Sequence, residues 1–224
     1  METTPALLES PSSCEQWAVL PGITWETYGA ILEELEGRRV FLTYDNGLLE
    51  IMSPSFRHES YAVLIGQMID LLTMELGLPI RSGRSTTFRR RDLHRGLEPD
   101  NCYWIENEPR VRGRLTFDPE VDPPPDLAIE IEVSRRALDR LSIYAALGVP
   151  EIWRCDGQRL IMCRRQEDGS YGVLPRSPAL PMLPPEQVLH FLHRFETMDE
   201  TAWKRAFRDW VRAEVLPRPG NPPD

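Results

Sequence analysis

No apolar run in the 224 residues is long enough to cross a bilayer. The opening METTPALLESPSSCEQW has neither a basic stretch nor a long apolar one, so it does not read as a secretory signal. Cysteine is sparse. Cys14, Cys102, Cys155 and Cys163 form no CxxC pair and no zinc-like spacing, which points to reduced thiols in a cytoplasmic protein. Basic charge is also short: 26 Lys and Arg face 35 Asp and Glu, a net charge of -9. That counts against a general nucleic-acid coat protein, which must neutralise phosphates. It leaves room for an enzyme acting on nucleic acid, since a local basic patch can outweigh the total. There is no internal repeat and no low-complexity block.

What is present fits a folded α/β domain. Hydrophobic residues make up 41% and charged residues 27%, enough for a core under an ordinary surface. Residues 1–20 hold Pro5 and Pro11 among small polar residues and read as a flexible arm. Residues 21–216 read as one domain, and the Pro- and Gly-rich tail 217–224 as disordered. Thr24 starts a helix that stops near Gly37. Asn46-Gly47 between two β-rich runs is a strong hairpin signal. Ser53-Pro54-Ser55 then opens a second helix, with Tyr61, Leu64, Ile65, Met68, Leu71 and Leu72 at helical spacing up to about Gly77. A basic strand-and-loop region follows, then LEPDNCYWI, a loop over 107–125, the strand LAIEIEVS, a short helix ending at Gly148, more strands, and one or two C-terminal helices. Helices alternating with strands in this order imply a central mixed β-sheet flanked by helices.

LAIEIEVS carries the chemistry. Leu127, Ile129, Ile131 and Val133 alternate with Ala128, Glu130, Glu132 and Ser134, so both glutamates fall on one face, about 7 Å apart along the strand. A solvated strand face explains two glutamates equally well. If the following helix covers that face, the acids must be paired, protonated or bound to a cation. A third carboxylate, Asp100, follows Glu98-Pro99, and the proline stiffens the approach to its strand. Mg²⁺ uses one or two such carboxylates with waters and phosphate oxygens.

The stretches GLLEIMSPSFRHE, LEPDNCYWI, PPDLAIEIEVS and DRLSIYAALGVPEIWRCDG, in this order, resemble the Uma-two family of restriction-endonuclease-like proteins within the PD-(D/E)xK nuclease superfamily. The resemblance implies a restriction-endonuclease-like fold and metal-dependent cleavage of DNA with Mg²⁺ or Mn²⁺, by a homodimer. Asp100, Glu130 and Glu132 would be catalytic. Asp100 and Glu130 would ligate metal, joined by Glu59 from the first core helix, with His58 as an accessory residue. Glu132 stands where the superfamily usually has lysine, which shifts that position toward a general base or a second metal. Some relatives supply the lysine from the next helix, where this chain has Arg140. Arginine stays protonated, so it can clamp a phosphate but cannot act as a base.

Plainer readings stand beside these. Arg89 and Arg91 belong to the one strongly basic stretch. They are candidates for nucleic-acid contact together with Arg140, yet charge on an edge strand more often just blocks aggregation. His58 fits a structural role at a helix start, Asp126 a strand entrance, and Glu50 a structural place in the hairpin. The competing functional reading is a catalytically inactive nuclease-fold module that binds nucleic acid or a protein partner.

Overall fold

In a computed structural model of the chain, residues 15–134 and 137–216 are described. Cys14, the first part of the arm and the tail 217–224 lie outside them. The strands fall into two sheets rather than one. The first, in the order β1-β3-β2-β6-β5, is antiparallel and comprises β1 (Gln16–Pro21), β2 (Phe41–Asp45), β3 (Leu48–Ser53), β5 (Phe88–Arg90) and β6 (Arg95–Leu97). The second, in the order β11-β10-β9-β8-β7-β4, comprises β4 (Arg81–Ser82), β7 (Asn101–Trp104), β8 (Leu127–Ile131), β9 (Glu151–Cys155), β10 (Leu160–Arg165) and β11 (Tyr171–Leu174). It is mixed: β8 and β9 run parallel, joined through helix α4 (Arg140–Leu147), and the other pairings are antiparallel. This second sheet is the central mixed sheet expected from the sequence, and the hairpin belongs to a separate layer.

The local signals act as their chemistry requires. Asn46 and Gly47 take φ of 47° and 94°, the left-handed pair that a two-residue hairpin turn needs between β2 and β3. The Thr24 side chain accepts from Thr27 N at the start of α1 (Trp25–Glu34). Ser55 caps α2 (Phe56–Leu76) by accepting from His58 N, and Gly77 closes it at φ 63°. A short helix, α3 (Glu108–Val111), interrupts the loop expected over 107–125. The C-terminal part holds two helices, α5 (Pro185–Phe195) and α6 (Glu200–Trp210), and a π-helical turn (Val211–Val215).

Residues 16–20, read as part of the arm, form β1 together with Pro21, because apolar and β-prone residues there pair with the whole of β3, from Gln16 opposite Ser53 to Pro21 opposite Leu48.

The core explains why β8 is so apolar. Leu127, Ile129 and Ile131 pack against Ile65, Met68 and Ile69 of α2 and Phe191 and Phe207 of α5 and α6. Ala128 faces the other way, onto Ile143 and Tyr144 of α4 and Ile152 of β9. Both faces of the strand are therefore covered. Each large side chain fully buried in such a core contributes roughly 1.5–3 kcal/mol. The covering also decides the fate of Glu130, which shares a face with Ala128 and is 2% exposed. The solvated-face reading of Glu130 is excluded.

Candidate active site

The β7–β8 pairing places Asp100 alongside Glu130. Asn101 pairs with Ile129. One step further out, Asp100 N donates to Ile129 O at 3.2 Å and Asp100 Oδ2 accepts from Ile131 N at 2.6 Å. The amide and the carboxylate of Asp100 thus bracket Glu130 from both sides. Pro99 cannot donate to a ladder, and the Asp100 carboxylate takes over as acceptor where the β7 backbone ends.

Glu130 faces a buried cation. Arg140, the first residue of α4, donates from Nη2 to Glu130 Oε1 at 2.6 Å and to Glu98 O at 2.6 Å, and from Nη1 to Thr43 Oγ1 on β2. Its guanidinium also lies over the Tyr144 ring, 5.8 Å from the centroid. The Tyr144 hydroxyl donates to the same Glu130 oxygen. Burial alone would lower the Arg140 pKa, but Glu130, Tyr144 and Asp100 raise it further above its ordinary value. Burial, then Glu130, pushes Tyr144 well up, so it stays a phenol that donates. A single buried pair of this kind costs desolvation on both sides, and removing either partner leaves the other stranded.

Asp100 has a second partner. His58 Nε2 lies 2.8 Å from Asp100 Oδ1, and His58 Nδ1 lies 2.5 Å from Glu15 Oε1. An imidazole between two carboxylates donates to both only as the imidazolium. Ser134, just beyond β8, donates to the other Glu15 oxygen. The segment leading into β1 is thereby fastened to the end of β8.

The remaining predicted residues sit apart. Arg154 Nε and Nη2 donate to the two oxygens of Glu132 at 2.7 and 2.9 Å, with 32% and 31% of the two side chains exposed. An ion pair this exposed contributes about 1 kcal/mol or less. Glu132 shares with Glu130 a cavity of about 590 Å³, also lined by Arg140, Tyr144, Arg154 and Asp156. Glu59 opens elsewhere, on a cavity of about 230 Å³ lined also by His58, Asp100 and Arg84. Arg89 lines a further cleft with Glu59 and Glu98. Arg91 pairs with Glu26 of α1 on the exposed surface. Among the described residues, no group of three or more His, Cys, Asp or Glu side chains is arranged to hold a metal ion. The predicted acids divide between two openings: Glu130 and Glu132 line the larger, and Asp100 and Glu59 the smaller.

Over residues 25–195 the chain matches the profile of the Uma2 family, described as "Putative restriction endonuclease". The chain belongs to the Uma2 family. Among solved structures it is similar to one described as a putative nuclease belonging to DUF820 from Anabaena variabilis ATCC 29413, with 16% identity over 67% of this chain and 90% of that one and a TM-score of 0.47. No curated protein matches it.

The cations of this Uma2 chain are almost all arginine. It holds one lysine, Lys204, which sits on α6 and pairs with Glu200. No lysine can therefore serve the site, and its fixed positive charge comes from arginine. The donors for a divalent ion would be Asp100 and Glu130. Two carboxylates suit Mg²⁺ when waters and phosphate oxygens complete its shell. Arg140 and Tyr144 both hold Glu130 through the same oxygen, Oε1.

Sequence reading missed Thr43, Tyr144, Glu15 and Arg154. Tyr144 carried a signal, since it lies four residues after Arg140 and so on the same helix face. Arg154 becomes visible only once the parallel register sets it beside Glu130. Nothing in the sequence pointed to Glu15. The residues taken as structural are so: Glu50 Oε2 accepts from Ala137 N and Leu138 N, and Asp126 accepts from Ile105 N and Asn107 N.

Proposed function

We propose that this Uma2 chain is a nuclease that hydrolyses phosphodiester bonds in DNA with the help of Mg²⁺ or Mn²⁺. The observation that supports it is the bracketing of Glu130 by Asp100 on adjoining strands, with Glu130 on a cavity of about 590 Å³ and Asp100 on a second of about 230 Å³ that it shares with Glu59. Asp100 and Glu130 would hold the ion, whose chemistry is to acidify a water and to offset charge on the phosphate. The other steps fall to the protein. His58 keeps the Asp100 carboxylate oriented. Arg140 balances the buried charge of Glu130, and the helix that carries it closes one wall of the cavity. A homodimer in the cytoplasm, cutting both strands, belongs to the same proposal, and light scattering reports the mass.

A second reading is favoured by one observation, the occupation of Glu130 by Arg140 where a lysine would leave a base or a water-orienting amine. On that reading the chain is a silent module that binds nucleic acid or a protein. Incubation of supercoiled plasmid with the protein and Mg²⁺ or Mn²⁺ separates the two. The nuclease nicks it, and Asp100→Asn or Glu130→Gln, checked for folding by circular dichroism, loses at least about a hundredfold of the rate, the scale on which single electrostatic groups act. Intact plasmid with every metal would leave the silent module.

A further inference from the structure

We propose that Arg154 is a phosphate-contacting residue of this site, and that Glu132 holds its guanidinium in place until a substrate phosphodiester displaces the carboxylate. The proposal rests on the nuclease reading, which it deepens.

The parallel pairing of β8 with β9 sets Arg154 directly beside Glu130. Both line the cavity of about 590 Å³. Among the described residues around that cavity, only Arg140 and Arg154 are cationic. They differ in availability. Arg140 is 6% exposed, and its donors are committed to Thr43, Glu98 O and Glu130. Drawing it away would leave a buried carboxylate without that partner, a costly change. Arg154 keeps a third of its side chain in solvent, and its Nη1 donates to no described residue. A half-exposed pair in water is weakly held, so exchanging its anion costs little.

The geometry of the pair supports a phosphate as the incoming anion. Two parallel N–H···O contacts from one planar guanidinium to two oxygens are the fork by which arginine grips either a carboxylate or a phosphodiester. Glu132 thus presents Arg154 with two oxygens of the same charge and spacing class as the substrate's. The position where lysine is usual in the superfamily then carries an internal stand-in for the substrate, and the cation is contributed by the neighbouring strand.

The test is a cycle of four proteins: wild type, Glu132→Gln, Arg154→Gln and the double variant. Each is checked for folding by circular dichroism and titrated onto a fluorescently labelled DNA duplex in EDTA, where metal-dependent cutting cannot intervene. Arg154→Gln is expected to weaken binding about three- to tenfold and to reduce the slope of log K against log salt by about one. Glu132→Gln is expected to tighten binding severalfold, and that gain is expected to vanish when Arg154 is also replaced. An equal gain with and without Arg154 would show Glu132 acting only as a distant negative charge and would overturn the proposal. So would an unchanged salt slope in Arg154→Gln. A wild type that binds no DNA sinks the nuclease reading and this one with it. A wild type that binds while Arg154→Gln matches it sinks this one alone.

Discussion

Arg140 grips Glu130 out of solvent, whereas Arg154 grips Glu132 at nearly the same distance with a third of each side chain in water. Similar distances in unequal surroundings give unequal energies. Arg140→Met should cost about 3–5 kcal/mol of stability, the scale for breaking a buried ion pair from one side. Arg154→Gln and Glu132→Gln should each cost about 1 kcal/mol or less. Urea unfolding followed by tryptophan fluorescence measures all three. Equal losses in the two pairs would show that burial does not set their worth.

His58 links the approach to β1 with the site, through Glu15 on one side and Asp100 on the other. His58→Leu removes both contacts, and a hydrogen bond to a charged group is worth roughly 1.5–3 kcal/mol. The effect should be local as well as global. Amide exchange along Gln16–Pro21 should speed up more than exchange in β8, because β1 is an edge strand paired with β3. Uniform acceleration in both strands would mean that His58 supports the fold generally and does not fasten β1.

Burial pushes the Cys155 thiol up to about 11, against an ordinary value of 9.0. Tyr28 and Tyr144 are raised as well, by burial first. Groups whose folded pKa is raised give stability that is complete below the unfolded value and drains as pH climbs through the folded one. Resistance to urea should therefore hold up to about pH 9 and fall between about pH 9 and 11. Over the same range, Cys102, Cys155 and Cys163, all buried, should resist alkylation until the chain unfolds. Peptide mapping after iodoacetamide treatment at pH 9 measures this, and rapid labelling of Cys155 in the native protein would contradict it.

Much of the fold was legible because local chemistry dictates it. Asn46-Gly47 can scarcely do anything but turn, Ser55 and Gly77 bound α2, and the strict alternation of Leu127, Ile129 and Ile131 demands a core. The separation into two sheets was not legible, since strand pairing across 50 or more residues leaves no local trace, as with Asp45 of β2 opposite Arg95 of β6. At the site, the motif singled out Asp100 and Glu130, which fall on adjoining strands, but not the fate of Glu132. Its partner Arg154 lies 22 residues on, and only the parallel register of β8 with β9 brings the two together. The strand at residues 16–21 was not legible for a related reason: QWAVLP finds its partner in β3, far along the chain.

The account turns on whether Asp100 and Glu130 together hold a divalent ion. Calorimetric titration of Mn²⁺ into wild type and into Asp100→Asn measures this without reliance on any cleavage assay. One ion bound per chain in the wild type, and loss of that binding in Asp100→Asn with folding intact, is the predicted result. Absence of Mn²⁺ binding in the wild type, or binding of equal strength in Asp100→Asn, would contradict it.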